Sequence, residues 1–223
     1  LYAEKVGIQD SSHIDAGGGW HDASDYLQYA TTSANATFHL LAAYRDFPRV
    51  FGDLKLANGL DGKNGRADVL DEAKWGLDWL LKMHPKANEM YNQIGDDRDH
   101  ASMRMPKEDP YYGRGFERPV YFIDGEPQQR GKFMNNTTGT SSTAGKFSSA
   151  FRLGATLFAK EDRKYAKLLS KKSASAYAYA NIKPGVTQTV SVKSPYIYAE
   201  DNWVDDMQLA AAMEFSATKK KKF

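Results

Sequence analysis

Gly17-Gly18-Gly19-Trp20-His21-Asp22-Ala23-Ser24-Asp25-Tyr26 is the stretch on which the reading of this chain turns. Glycines let a backbone bend sharply and approach a ligand closely, because no Cβ obstructs positive φ. If Asp22 to Asp25 forms a tight turn into a following helix, the three-residue spacing sets both carboxylates on one side. Two acids facing one spot can hold a water molecule, and one of them can take its proton. Trp20, His21 and Tyr26 offer flat faces of the kind sugar rings pack on. The constellation suggests water activation on a polyhydroxylated substrate. The same spacing also suits an N-cap followed by a first-turn acid favoured by the helix dipole. Spacing alone leaves both readings open.

Outward from this stretch, helical periodicity dominates. Ala34, Phe38 and Leu41 predict a helix over residues 25–45, broken by Pro48 and the Gly- and Asn-rich residues 58–65. A second helix is expected over residues 68–84, with Val69, Ala73, Leu77, Leu80 and Leu81 on its apolar side. Asp68, Asp71 and Glu72 load its first turn, and Lys82 and His84 its last, before Pro85. Residues 92–136 lack sustained periodicity, which in a compact domain points to a binding surface; Val120-Tyr121-Phe122-Ile123 within them reads as a strand. Helical spacing returns with Ala144, Phe147, Phe151, Ala155 and Phe158, and again over residues 162–180. A β-prone run follows at 186–192, and a last helix opens near Asp205 and Asp206 and continues through Phe215. The expected fold is an all-α helical array with functional loops on one face.

Composition narrows the function classes. Of 223 residues 41% are hydrophobic and 13% aromatic, enough for a sizeable core. The net charge of +2 includes four consecutive lysines, Lys219 to Lys222, so the body of the chain is near neutral. That argues against a nucleic-acid surface, and the lysine run reads as a solvated tail. With no cysteine there is neither disulfide nor thiolate metal site. No apolar run is long enough to span a membrane.

Several segments resemble glycoside hydrolase family 9, the inverting cellulases with an (α/α)6 barrel catalytic domain. Gly18-Gly19-Trp20-His21-Asp22-Ala23-Ser24-Asp25-Tyr26 looks like that family's Gly-Gly-Trp-Tyr-Asp-Ala-Gly-Asp-Tyr. Residues 71–84 are similar to its second helix, and Ile94-Gly95-Asp96 with Asp99-His100 to its active-site loop. Residues 140–147 and 200–207 are similar to later segments, so the matches keep family order from about 17 to 215. His21 and Ser24 replace the family's usual Tyr and Gly, and Ser102-Met103 stands where many members carry a tryptophan pair.

The resemblance implies roles residue by residue. Asp25 matches the general base and Asp22 the acid that helps position the attacking water. His100 matches a histidine that lines the substrate cleft. Trp203 is a candidate stacking platform, Trp20 and His21 flank the two acids, and Arg104 and Glu108 are candidate cleft residues. Asp205 resembles a position that helps hold a structural calcium ion in some members; no other cofactor is implied. The implied substrate is a β-1,4-glucan, polymeric or oligomeric, and the implied location is secreted or periplasmic.

The family's general acid, a glutamate in an Asn-Glu pair, has no match here, nor has its His-x-Arg cluster. Glu214 lies in the wrong segment for that role. Residues 1–215 therefore read as a partial catalytic domain and 216–223 as an unrelated basic tail. An incomplete barrel points either to a glycosidase lacking its acid or to a carbohydrate-binding or assembly fragment that a second chain completes.

Overall fold

The computed structural model describes residues 2–5, 8–23, 25–101, 118–193 and 197–223. Five helices carry the core: α1 (Ala30–Asp46), α2 (Asp68–Met83), α3 (Ser141–Leu157), α4 (Arg163–Ala180) and α5 (Val204–Thr218). Among the described residues there are seven short strands: β1 (Tyr2–Lys5), β2 (Ile8–His13), β3 (Gln28–Tyr29), β4 (Tyr91–Ile94), β5 (Pro119–Phe122), β6 (Gln129–Arg130) and β7 (Phe133–Met134). The first five form one sheet in the order β2-β1-β5-β4-β3, in which only β1 and β5 run parallel, and β6 and β7 form a hairpin. The fold is a partial (α/α)6 barrel.

α3 is the axis of the core. Every residue from Ser141 to Ala155 is buried, because α1, α4 and α5 all pack on it. Its aromatic side chains Phe147 and Phe151 meet edge to face at 5.9 Å and are fully buried. Each contributes about 1.5–3 kcal/mol by leaving water. Its two charged residues near Glu200, Asp206 and Glu214 are satisfied by pairing. Arg152 grips Glu214 of α5 at 2.7–2.9 Å, and Lys146 bridges Glu200 at 2.5 Å and Asp206 at 2.6 Å. A buried charge is tolerated only with such a partner.

α2 follows the expected bounds, with Asp68 and Asp71 at its positive end and Lys82 in its last turn. Gly76 lets it cross α1 closely: a Cβ there would strike Thr37 Oγ1 and the Trp20 ring. α1 departs from expectation at its start. Gln28 and Tyr29 pair with Ile94 and Gln93 as sheet residues, so the helix begins only at Ala30. Residues 186–192 form no strand. Their backbone donors bind side-chain oxygens instead: Val186 to Thr138, Thr187 to Ser142, Gln188 to Thr137 and Val190 to Gln93, at 2.7–3.0 Å. The strand expected at 120–123 is β5. After α5, Lys219 takes a left-handed φ of 57° and Phe223 packs against Tyr177 of α4. Among the described residues, no helix is long and apolar enough to cross a membrane.

Candidate active site

The glycine-rich loop before β3 is held in place by α2. Trp75, Trp79 and Lys82 project from one face of that helix. Trp75 Nε1 donates to the Gly19 carbonyl at 2.9 Å, Trp79 Nε1 to Ala16 at 3.1 Å and Lys82 Nζ to Gly17 at 2.8 Å. Gln28 Nε2 takes the remaining carbonyl, Gly18, at 2.6 Å. Gly19 sits at φ 71°, and a Cβ there would lie 2.5 Å from Cδ2 of Trp79. Glycine is therefore required both for the turn and for the stacked indole. Trp20 Nε1 donates to Glu72 at 2.6 Å, which fixes the plane of its ring.

The loop closes into a turn over residues 22–27, where the Asp22 amide donates to the Leu27 carbonyl at 2.7 Å. Leu27 N in turn donates to Asp25 Oδ1 at 3.1 Å. Neither acid caps a helix: α1 starts five residues after Asp25, has Tyr29 at its N-cap and has no acid in its first turn. The structural reading of the Asp-x-x-Asp spacing is thus not what these carboxylates do. Asp22, half-buried, accepts from Tyr198 Oη at 3.0 and 2.9 Å on its two oxygens, and from Thr32 Oγ1 at 3.3 Å. Tyr198 is itself steadied by Tyr29, edge-on at 5.0 Å, and by its amide bond to Thr189 Oγ1 at 2.7 Å. Arg118 binds the other side of the turn, donating to the Tyr26 carbonyl and to Gln28 Oε1 at 2.9 Å.

His21 is exposed and meets Tyr26 edge to face at 5.3 Å. Partial burial of the ring and the Arg118 charge pull its pKa below the ordinary imidazole value, against the opposing pull of Asp25. At neutral pH the imidazole is uncharged, able to donate from one nitrogen and accept at the other.

Three hollows share walls across this region. The middle one, 170 Å³, is lined by Trp20, His21, Asp22, Thr32, Ser33 and Ala36. Trp20 also lines a 420 Å³ hollow with Leu56, Asn58, Glu72 and Trp75. Thr32 also lines a 330 Å³ hollow with Thr31, Asn35, Tyr198 and Glu200. Asp22 thus stands midway along a row of recesses, a shape suited to a chain-like ligand.

Of the other expected site residues, Trp203 and Asp205 fall elsewhere. His100 lies in the short 3-10 turn Asp97–Ala101, and its side chain is outside the described residues, as are Arg104 and Glu108 altogether. Trp203 is the residue before α5, half-buried, and does not line the hollows beside Asp22. Asp205 is exposed on the first turn of α5. The surrounding donor set does not suit calcium: Glu200 and Asp206, the acids that would join Asp205, are bound to the Lys146 ammonium. Among the described residues no cluster of three or more metal-binding side chains occurs. Glu214 is fully buried and held by Arg152 and Ser173, away from the acidic turn.

Sequence reasoning missed Tyr198, Thr32 and Arg118, the groups that orient the acidic turn. Tyr198 is 176 residues from Asp22 along the chain, and no local spacing marks it. A signal for the α2 anchor did exist: Trp75, Trp79 and Lys82 recur at four and three residues, one helix face.

Comparison with known proteins gives the family. A family model described as "Glycosyl hydrolase family 9" matches residues 2–223. Endoglucanase 14 of Arabidopsis thaliana is 27% identical over 214 residues, covering 95% of this chain and 38% of that protein. A cellodextrinase of Butyrivibrio fibrisolvens is 29% identical over 181 residues, covering 77% and 27%. The crystal structure of a metagenome-derived family 9 endoglucanase superposes with a TM-score of 0.70 at 25% identity, covering 99% of this chain and 37% of that one. The chain therefore spans less than half the length of the curated relatives it matches. On the match along its length and on the shared fold, this chain belongs to glycosyl hydrolase family 9.

Proposed function

We propose that this chain carries the water-activating half of a glycosidase that cleaves β-1,4-glucan with inversion. Asp25 is the general base that takes the proton of the attacking water, and Asp22 orients that water. The observation that carries the reading is Asp22 itself: a carboxylate that caps no helix, is oriented by Tyr198 and Thr32, and opens onto a row of recesses walled by Trp20. Fixing the acid from two sides limits its rotation, so the water arrives at one position beneath the sugar ring. Trp20, held by Glu72, gives that ring a flat apolar wall, and neutral His21 offers a hydrogen-bonding group beside it.

Inversion needs a proton donor on the opposite face of the sugar, roughly 6.5–9.5 Å from the base. In this reading the donor comes from outside this chain; Glu214, among the described residues, is locked in an ion pair. General acid catalysis is worth about 10²–10⁴-fold, so the isolated chain binds glucan and turns it over slowly or not at all. A polymeric substrate of this kind places its work outside the cytoplasm. The test is affinity electrophoresis through a gel containing soluble β-1,4-glucan. The chain is expected to be retarded and Trp20→Ala to run free; unretarded migration of the parent chain would contradict the proposal.

A second reading is an assembly fragment completed by another chain. It is favoured by Phe47, Val50, Leu54 and Leu60, each more than 60% exposed along the segment between α1 and α2. Sedimentation distinguishes the two: a compact monomer at micromolar concentration argues against the assembly reading.

A further inference from the structure

The face built by α4 and the chain after α5 carries charge that the glucan-facing side does not use. α4 holds five basic and no acidic residues, and Lys219 to Lys222 add four more. Nine positive charges against a net charge of +2 leave the rest of the molecule at −7, so the charge is strongly polarised. Lys167 and Lys171 stand four residues apart on one face of α4, a spacing at which like charges weaken a helix. The left-handed turn at Lys219 sends the chain back toward α4, and Phe223 anchors it edge-on to Tyr177 at 5.0 Å. Lys220 and Lys222 thereby join Lys167 and Lys171 around one hollow of 430 Å³, with the paired Arg152 and Glu214 at its wall. Arg152 is neutralised by Glu214 and braced by Ser170 Oγ at 2.5 Å. None of the four lysines has a carboxylate partner among the described residues.

We propose that this hollow binds a compact, multiply charged oxyanion of the phosphate class. Lysine ammonium groups on flexible stems each offer three donors and suit phosphoryl oxygens approached from several sides. An anion here would relieve the repulsion between four lysines that lack a carboxylate partner among the described residues, of which Lys222 also lies 4.8 Å over the Phe223 ring. The recess takes a di- or triphosphate-sized group, whereas a nucleic-acid strand needs basic surface that continues beyond it, and the rest of the molecule is acidic. The site is separate from the acidic turn and does not depend on the proposed glycosidase activity.

The test is calorimetric titration of the full chain with inorganic tripolyphosphate at about 0.15 M salt, where exposed charges are screened beyond about 8 Å. Saturable binding at one site per chain is expected. The Lys167→Gln/Lys171→Gln double variant should weaken it by about tenfold or more, and Lys167→Arg/Lys171→Arg should retain it. Both pairs are exposed, and circular dichroism confirms that the variants fold. A cello-oligosaccharide should not compete. Absent or non-saturable binding would overturn the proposal, as would equal weakening by Lys63→Gln/Lys132→Gln elsewhere on the surface. Affinity for single-stranded oligonucleotides that climbs with length past that for tripolyphosphate would also overturn it.

Discussion

His84 makes the stability of this chain depend on pH in a way that can be worked through. The residue ends α2 and is fully buried, with Nδ1 2.9 Å from the Glu89 carbonyl and Nε2 2.9 Å from Ser175 Oγ on α4. A carbonyl only accepts, so Nδ1 carries the proton and Nε2 receives the serine hydroxyl; the ring is neutral. Burial lowers its pKa most and the Lys172 ammonium lowers it further, with the Glu89 carbonyl opposing; the result is about 4. The unfolded chain binds that proton near the ordinary 6.5. The neutral-ring contribution is therefore fully present above pH 6.5, falls as pH drops toward 4, and is gone below. A depression of about 2.5 units corresponds to about 3 kcal/mol in all, of which about 2.5 kcal/mol is lost between roughly pH 7.5 and 4.5. Urea unfolding of the parent chain and of His84→Gln at those two pH values isolates the effect. The parent should lose about 2.5 kcal/mol more than the variant over that interval. Equal losses in the two proteins would show that His84 titrates normally and refute the reasoning.

Other expectations follow from the same structure. Arg152→Met leaves the Glu214 carboxylate buried without its partner and should lower unfolding free energy by about 3–5 kcal/mol, while Arg152→Met/Glu214→Leu recovers most of it; an equally unstable double variant would count against a paired role. Gly19→Ala should destabilise by more than about 1 kcal/mol, because alanine resists φ 71° and its methyl meets the Trp79 ring, and it should abolish retardation in the glucan gel. Tyr198→Phe removes a hydroxyl donating to a carboxylate and should lower stability by about 1 kcal/mol, more than Thr32→Val, whose bond is longer at 3.3 Å. Urea midpoints with the order of those two reversed would contradict the assignment of Tyr198 as the main support of Asp22.

Helices with strong end signals were legible in the sequence. α2 could be read almost to the residue, since its apolar stripe, acidic start and basic end all agree. α1 starts later than its periodicity suggests because Gln28 and Tyr29 are taken into the sheet by Ile94 and Gln93, a tertiary effect with no local trace. Residues 186–192 are β-prone by composition yet form no ladder. Threonine, serine and glutamine side chains from α3, β4 and the loops reach their donors first. The acidic turn announced itself by its glycines and its Asp-x-x-Asp spacing. Its supports did not, because Tyr198 and Arg118 are fixed by the meeting of distant segments. Lys219 to Lys222 are exposed, as a solvated run should be; the contact of Phe223 with Tyr177 of α4 has no local mark in the sequence.

The most direct test of the central claim is a crystal structure of this chain soaked with a cello-oligosaccharide. The sugar should run along the recesses past Trp20, with one water bonded to both the Asp22 and Asp25 carboxylates beneath a ring. An oligosaccharide bound elsewhere, or the two carboxylates holding separate waters that face away from the sugar, would contradict it.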